Sequence, residues 1–327
     1  MKKMRHILTF LVLALLLFVG CEKRITPGVP SQVRADLKLL PEQIDFVLFG
    51  DISSLAQSDF GSRLVADFMK EVGNEEKEKE FQAFKEAMSP EALKELIIGV
   101  QRGEEDQFPF YVLIRGNLDE QKIVNYTEQK AKEKHREFEA HINTVNGKHL
   151  YILTKDFAAA FAGNGLLLVG PANWVTARLQ GKKPETSLTN NPKIMALVDR
   201  VTYGNQFWVI ANQPLKFRGG KFPPMETPQG QKIKAAVQSA IFSAQIDENI
   251  KFEGRVQCDN EENSKSLADL MKGGLAAIKL SAAGDRTTVD ALNRIQVQQK
   301  GPEAVVSGML TKELIEAMKS RRLAMKK

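Results

Sequence analysis

Cysteine is nearly absent from this chain. Among 327 residues there are two, Cys21 and Cys258, too few for a disulfide framework. Histidine is almost as scarce, with four. His6, His135, His141 and His149 include no pair spaced i, i+2 or i, i+4, the spacings that aim two imidazoles at one metal; surface and hairpin positions account for them. The sequence also lacks a G-x-S-x-G elbow, an S-x-x-K pair, a P-loop, H-E-x-x-H and C-x-x-C. The glycines around Gly163 and Gly170 fail the dinucleotide fingerprint, because Leu168 stands at its third glycine. We expect a non-catalytic protein with no cofactor and no metal site. Charge of one sign is not in excess either: 46 Lys+Arg face 40 Asp+Glu, a formal +6. Lys2, Lys3 and Arg5 lie in a segment expected to be removed, which leaves 6 − 3 = +3. Nothing in that balance calls for nucleic acid.

What is present begins at the N-terminus. A basic start is followed by an apolar run from Ile7 to Val19, 13 residues, which as a helix rises about 20 Å and falls short of a bilayer core of about 30 Å. That is signal-peptide architecture. Phe18 is too bulky for an A-x-A cleavage site, and Phe18-Val19-Gly20-Cys21 instead resembles the lipobox of bacterial lipoproteins. The resemblance implies cleavage before Cys21, lipidation of that residue and attachment to the membrane through N-terminal acyl chains, a durable anchor when two or three chains are buried. With Glu22 following, it also implies a cell-envelope location, at the outer membrane where the organism has one.

The divisions expected from the sequence are a signal peptide at 1–20, a tether at 21–38, and two α+β units at 39–181 and 190–327. The tether reading rests on Pro27, Gly28 and Pro30 with few apolar residues. Strands are expected at Ile44 to Phe49, Leu96 to Val100, Phe110 to Ile114, His141 to Val145, Leu150 to Thr154, Phe157 to Ala162 and Leu166 to Val169. Helices are expected over Phe60 to Val72, from Ser89-Pro90, after a capping box at Asn117 and Glu120, and after Pro171. Asn164-Gly165 supplies the positive φ of a two-residue hairpin turn. The second half repeats this order. Phe207 to Ala211 parallels Phe46 to Gly50, and one offset of 142 pairs Phe110 with Phe252, Ile114 with Val256 and Glu120 with Glu262. The expected fold class is α+β: two duplicated units of mainly antiparallel sheet with helices on one face, in ferredoxin-like order.

Few residues carry chemistry. Cys258 alternates onto the apolar side of a strand with Ile250, Phe252 and Val256 and reads as a buried, inert thiol. Pro214 to Gly230, 17 residues with four prolines, is a long loop of the kind that is often functional. Its Phe217, Arg218, Lys221 and Phe222, with Arg321 and Arg322 of the basic C-terminus, are the candidate contacts with a partner or a membrane. Leu40-Pro41 followed by Ile44 to Leu55 also resembles exported bacterial α+β families, a likeness that brings no activity. The expected role is a lipid-anchored envelope protein that binds or scaffolds an unknown envelope protein. One alternative is a carrier holding an apolar, lipid-like ligand between sheet and helices, which predicts a cavity of a few hundred Å³. The other is a hydrolase with acidic residues, starting from Asp45 or Asp51.

Overall fold

The computed structural model describes residues 28–57, 92–102, 109–133, 141–182, 186–204, 206–212 and 227–314. The helices expected at 60–72 and from Ser89 lie outside them. Among the described residues there are twelve strands: β1 (Ile44–Asp51), β2 (Leu93–Gln101), β3 (Phe110–Gly116), β4 (His141–Val145), β5 (Lys148–Thr154), β6 (Phe157–Gly163), β7 (Leu166–Pro171), β8 (Phe207–Ala211), β9 (Val237–Ile246), β10 (Ile250–Cys258), β11 (Gln296–Lys300) and β12 (Glu303–Leu310). They form one antiparallel sheet in the order β11-β12-β10-β9-β8-β1-β2-β3-β7-β6-β5-β4. The helices are α1 (Ser31–Leu37), α2 (Ile52–Gln57), α3 (Glu120–Glu133), α4 (Ala172–Leu179), α5 (Pro192–Val198), α6 (Pro228–Ala236), α7 (Glu261–Ser281) and α8 (Arg286–Leu292), with a 3-10 turn at Leu188–Asn190. The fold is therefore α+β around a large antiparallel sheet.

The halves join through β1 and β8, with Leu48 opposite Val209 and Phe49 opposite Trp208. The Phe49 and Trp208 rings stack at 5.5 Å, and both side chains are buried. From this junction the strand order reads alike in both directions, β1-β2-β3-β7-β6 and β8-β9-β10-β12-β11. The registers agree as well: Leu48 leads through Ile98 to Val112, and Val209 leads through Phe242 to Gly254. Val112 and Gly254 differ by the same 142 that pairs Phe110 with Phe252. A ferredoxin-like order is not what is found, since β1, β2 and β3 are consecutive antiparallel neighbours rather than strands interleaved through a split βαβ unit.

Helices on one face also needs correction, because both faces are covered. Along β1, Val47 and Phe49 are buried on one face while Phe46 and Leu48 are half-buried on the other. On the Val47 face, α1, α4, the 3-10 turn and α5 contribute Leu37, Trp174, Leu188 and Ile194 to a core that also holds Ile97, Leu113 and Ile210. The opposite face receives α7, whose Leu267 and Ala268 pack with Cys258 and Ala304. It also receives α3, whose Glu120 accepts a hydrogen bond from the Tyr151 hydroxyl at 2.6 Å.

Two local readings change for physical reasons. Residues 28–38 are not tether: Val29, Val33 and Leu37, at i, i+4 and i+8, are buried at 6%, 0% and 0% exposure, and Leu40 continues the contact. Helix α3 is capped by Asp119, whose Oδ1 accepts the Lys122 N–H at 3.0 Å, and Glu120 is spent on Tyr151 rather than on a capping box with Asn117. The turn at Asn164-Gly165 is as expected, with φ of 51° and 66°. The start of the second unit is tied to its sheet as well. Arg200 pairs with Glu303, Thr202 donates to Glu253 at 2.5 Å, and Arg255 bonds the same Glu253 oxygen at 2.8 Å. Burial pushes the Glu253 carboxyl upward, but the Thr202 and Arg255 bonds outweigh it and hold the group below its ordinary value.

Candidate functional site

The feature with binding geometry is a cleft of about 430 Å³ on the Val47 face. Its floor is Leu166 and Leu168 of β7 with Ala162 of β6, one wall is Ala35 and Leu39 from α1 and the residues after it, and the rim carries Lys38, Arg178 and Lys182. Each part follows from local sequence. The β6-β7 hairpin turns at Asn164-Gly165 and presents Leu166 and Leu168, buried at 8% and 1%, on one side. Helix α4 ends in a Schellman turn: Gly181 takes φ of +72°, its N–H reaches the Arg178 carbonyl at 3.0 Å, and the Lys182 N–H reaches Ala177 at 3.0 Å. That turn brings Lys182 back beside Arg178, whose guanidinium donates to the Lys182 carbonyl.

Arg178 is the unusual member. Its Nε is buried with no hydrogen-bond partner, and burial lowers the guanidinium pKa without approaching neutrality. A cation held partly out of water favours an anionic neighbour. Among the described residues lining the cleft none carries a carboxylate. A second groove, about 590 Å³ beside Lys193, Asn212 and Gln238, is more polar.

Asp45 and Asp51, the acidic residues singled out in the sequence, stand at opposite ends of β1 with separate partners. Asp51 is spent at the start of α2, accepting from Ser53 Oγ at 2.9 Å, Ser54 N at 2.9 Å and Ser54 Oγ at 2.6 Å. Asp45, at the other end of the strand, accepts the Arg102 N–H at 3.1 Å. Nearer Asp51, Asp36 of α1 binds Arg115 through both carboxylate oxygens at 2.5 Å. Beside it Glu95 keeps one oxygen buried and unpaired, its pKa raised by burial first and by Asp36 second. This cluster ties α1 to the sheet, and neither Asp36 nor Glu95 lines the cleft.

Of the residues singled out in the sequence, Cys21, Phe217, Arg218, Lys221, Phe222, Arg321 and Arg322 lie outside the described residues. Cys258 is 1% exposed and its thiol pKa is raised by burial, as its strand position implied. His149 lies 3.0 Å from Glu120 in the contact that holds α3, and among the described residues no group of three His, Cys, Asp or Glu is placed to hold a metal ion. Lys38, Arg178 and Lys182 were missed. The available signal was two cations flanking a helix-ending glycine, which reads equally well as ordinary C-terminal charge. Compared with known proteins, the chain matches no family model, no curated protein and no solved structure.

Proposed function

We propose that this is a lipid-anchored envelope protein, held to the membrane by acyl chains on Cys21, whose domain binds rather than catalyses. Its ligand is a single-chain amphiphile with an anionic head. The reading joins the export signal to one structural observation: an apolar floor of Leu166, Leu168 and Ala162 lies beneath a rim of Lys38, Arg178 and Lys182. At about 430 Å³ the cleft sits at the small end of ligand pockets, roughly 300 to 1,000 Å³, a size for one acyl chain rather than two. The matched strand orders of the two halves support descent from a duplicated unit, of which the first carries the cleft.

The test is displacement of a fluorescent fatty acid from the purified protein by palmitate and by hexadecanol. Palmitate should compete at least tenfold better. Arg178→Met should remove that preference while leaving the urea midpoint in place. Equal competition by acid and alcohol, or no uptake of the probe, would overturn the ligand assignment. The anchor is tested separately by incorporation of labelled palmitate in cells, which Cys21→Ser should abolish.

A further inference from the structure

Helix α7 has an end that the fold does not use. Its inward stripe starts fully packed, with Ser264 at 0%, Leu267 at 5% and Ala268 at 0% exposure. Met271 and Leu275, one and two turns on, are half-buried, and Ile278 is 54% exposed. Leu280, on another side of the helix, is 77% exposed, and Ala276 and Ala277 are exposed as well. The apolar character therefore continues where the cover thins, and the last two turns carry exposed apolar side chains on more than one side. From Leu270 to Gly284 there is no acidic residue, and the only charges are Lys272 and Lys279.

The position of this end is fixed by its surroundings. Helix α7 starts beside Cys258, where Ser264 Oγ donates to the Gly301 carbonyl at 2.8 Å. It runs back along the sheet, and α8 then delivers the chain to Gln296, opposite Ser307, near the end where Ile250 pairs with Leu310. The first described residue lies at that same end. Gly28 is packed so closely on Gly204 that a Cβ there would fall 2.3 Å from the Gly28 oxygen, and next along the chain Gln206 bonds the Ile246 carbonyl at 3.2 Å. Only six residues separate Gly28 from Cys21, so a bilayer holding Cys21 lies within about 25 Å of Gly28.

We infer that the exposed end of α7 is a membrane-docking surface, with Ile278 and Leu280 entering the bilayer interface at the strand end where the lipid anchor enters, α1 and α7 lying on opposite faces of the sheet. This rests on the anchoring read above. The attraction is mainly apolar: Lys272 is 3.4 Å from Asp269 and Arg286 is 3.8 Å from Asp290, which leaves Lys279 as the charge set between Ile278 and Leu280. Docking by Ile278 and Leu280 should therefore need no anionic lipid and should survive high salt. It would hold the sheet at a fixed attitude to the bilayer instead of leaving it free on its tether.

The experiment places an environment-sensitive nitrobenzoxadiazole label at Leu280→Cys, with Cys258 buried, and at Gln298→Cys as a control on exposed β11. The exported chain, with a histidine tag in place of Cys21, is held on phosphatidylcholine vesicles by a nickel-chelating lipid, so the test does not depend on acylation of Cys21. Expected are a blue shift and quenching by spin-labelled lipid at 280, persisting at 0.5 M salt, with neither at 298. A label at 280 that stays in water while the protein is vesicle-bound overturns the inference, as does equal quenching at both sites. A blue shift at 280 that needs no vesicles and grows with protein concentration overturns it in favour of a second copy of the chain.

Discussion

Substituting Leu37 by Ala separates a docked N-terminal helix from a free tether. Helix α1 has seven residues, too few to persist alone in water, so its order derives from what it touches. Leu37 is 0% exposed, inside the cluster with Leu40, Ile97 and Leu113. Removing such a side chain costs about 2.7 to 5 kcal/mol, depending on how far the site can close over the space. One side of α1, at Ser31, Gln32 and Ala35, is exposed and leaves the helix room to settle, which places the expected cost near 3 kcal/mol. With a urea dependence of about 3 kcal/mol per molar, the midpoint should fall by about 1 M. Fluorescence reports the transition well, because Trp174 and Trp208 are the two tryptophans of the chain and both are buried. The Trp174 Nε1 also donates to the Leu39 carbonyl at 3.0 Å, so it senses departure of this segment directly. A loss below about 0.5 kcal/mol, the range of ordinary surface substitutions, would refute the placement of α1 in the core.

Two further outcomes follow from the ionic contacts. The Glu95 pKa is raised by burial, so the fold favours the protonated acid. That preference is satisfied below the unfolded carboxylate range and is lost as pH rises through the folded value. Glu95→Gln should therefore stabilise the protein at pH 7, by less than about 1 kcal/mol given its partial exposure, and the gain should vanish near pH 4; a gain of equal size at both, measured by thermal unfolding, would count against it. Arg200→Met leaves Glu303, whose side chain is 11% exposed, with Arg255 at 3.9 Å as its remaining cation. A cost of about 1 to 2 kcal/mol is expected, below that of a fully orphaned buried charge. The double variant Arg200→Met with Glu303→Gln should lose less than the two single losses combined, and simple additivity in a urea cycle would rule out the coupling.

Local chemistry made much of this fold legible. Alternation located the strands, Asn164-Gly165 announced its own turn, and the 142-residue spacing of Phe110 and Phe252 matched the register that β3 and β10 adopt. What was illegible was non-local. Helix α1 offers three apolar residues between prolines and becomes a helix only because Asp36 meets Arg115, 79 residues away, and Leu37 meets the sheet. Asp119 and Asn117 are equally good caps by type, and the choice is settled by where β3 ends. The cleft needs α1, the β6-β7 hairpin and the end of α4 together, so no window of sequence contains it. Coverage of both faces was missed for the same reason, since the Val47 face is covered jointly by α1 from the expected tether, α4 of the first unit, and the 3-10 turn and α5 around the start of the second.

The join between the halves decides why they are one body. Strands β1 and β8 meet along five residue pairs, Phe46-Val-Leu-Phe-Gly50 against Phe207-Trp-Val-Ile-Ala211, with no charge and no proline among them. As a free edge either strand would be a template for aggregation, which proteins blunt with charge, proline or cover. The outer edges are more polar: β11 reads Gln-Val-Gln-Gln-Lys and is mostly exposed, and β4 carries exposed Asn143 and Thr144 beside a half-exposed Ile142. Apolar edges are therefore spent on each other at the centre and polar edges are left outside. The stacked Phe49 and Trp208 rings seal the join on the buried face. Among the described residues β1 and β8 have no other partner on these edges, so each half supplies the edge that the other covers, and the cleft lies on the sheet that they form together.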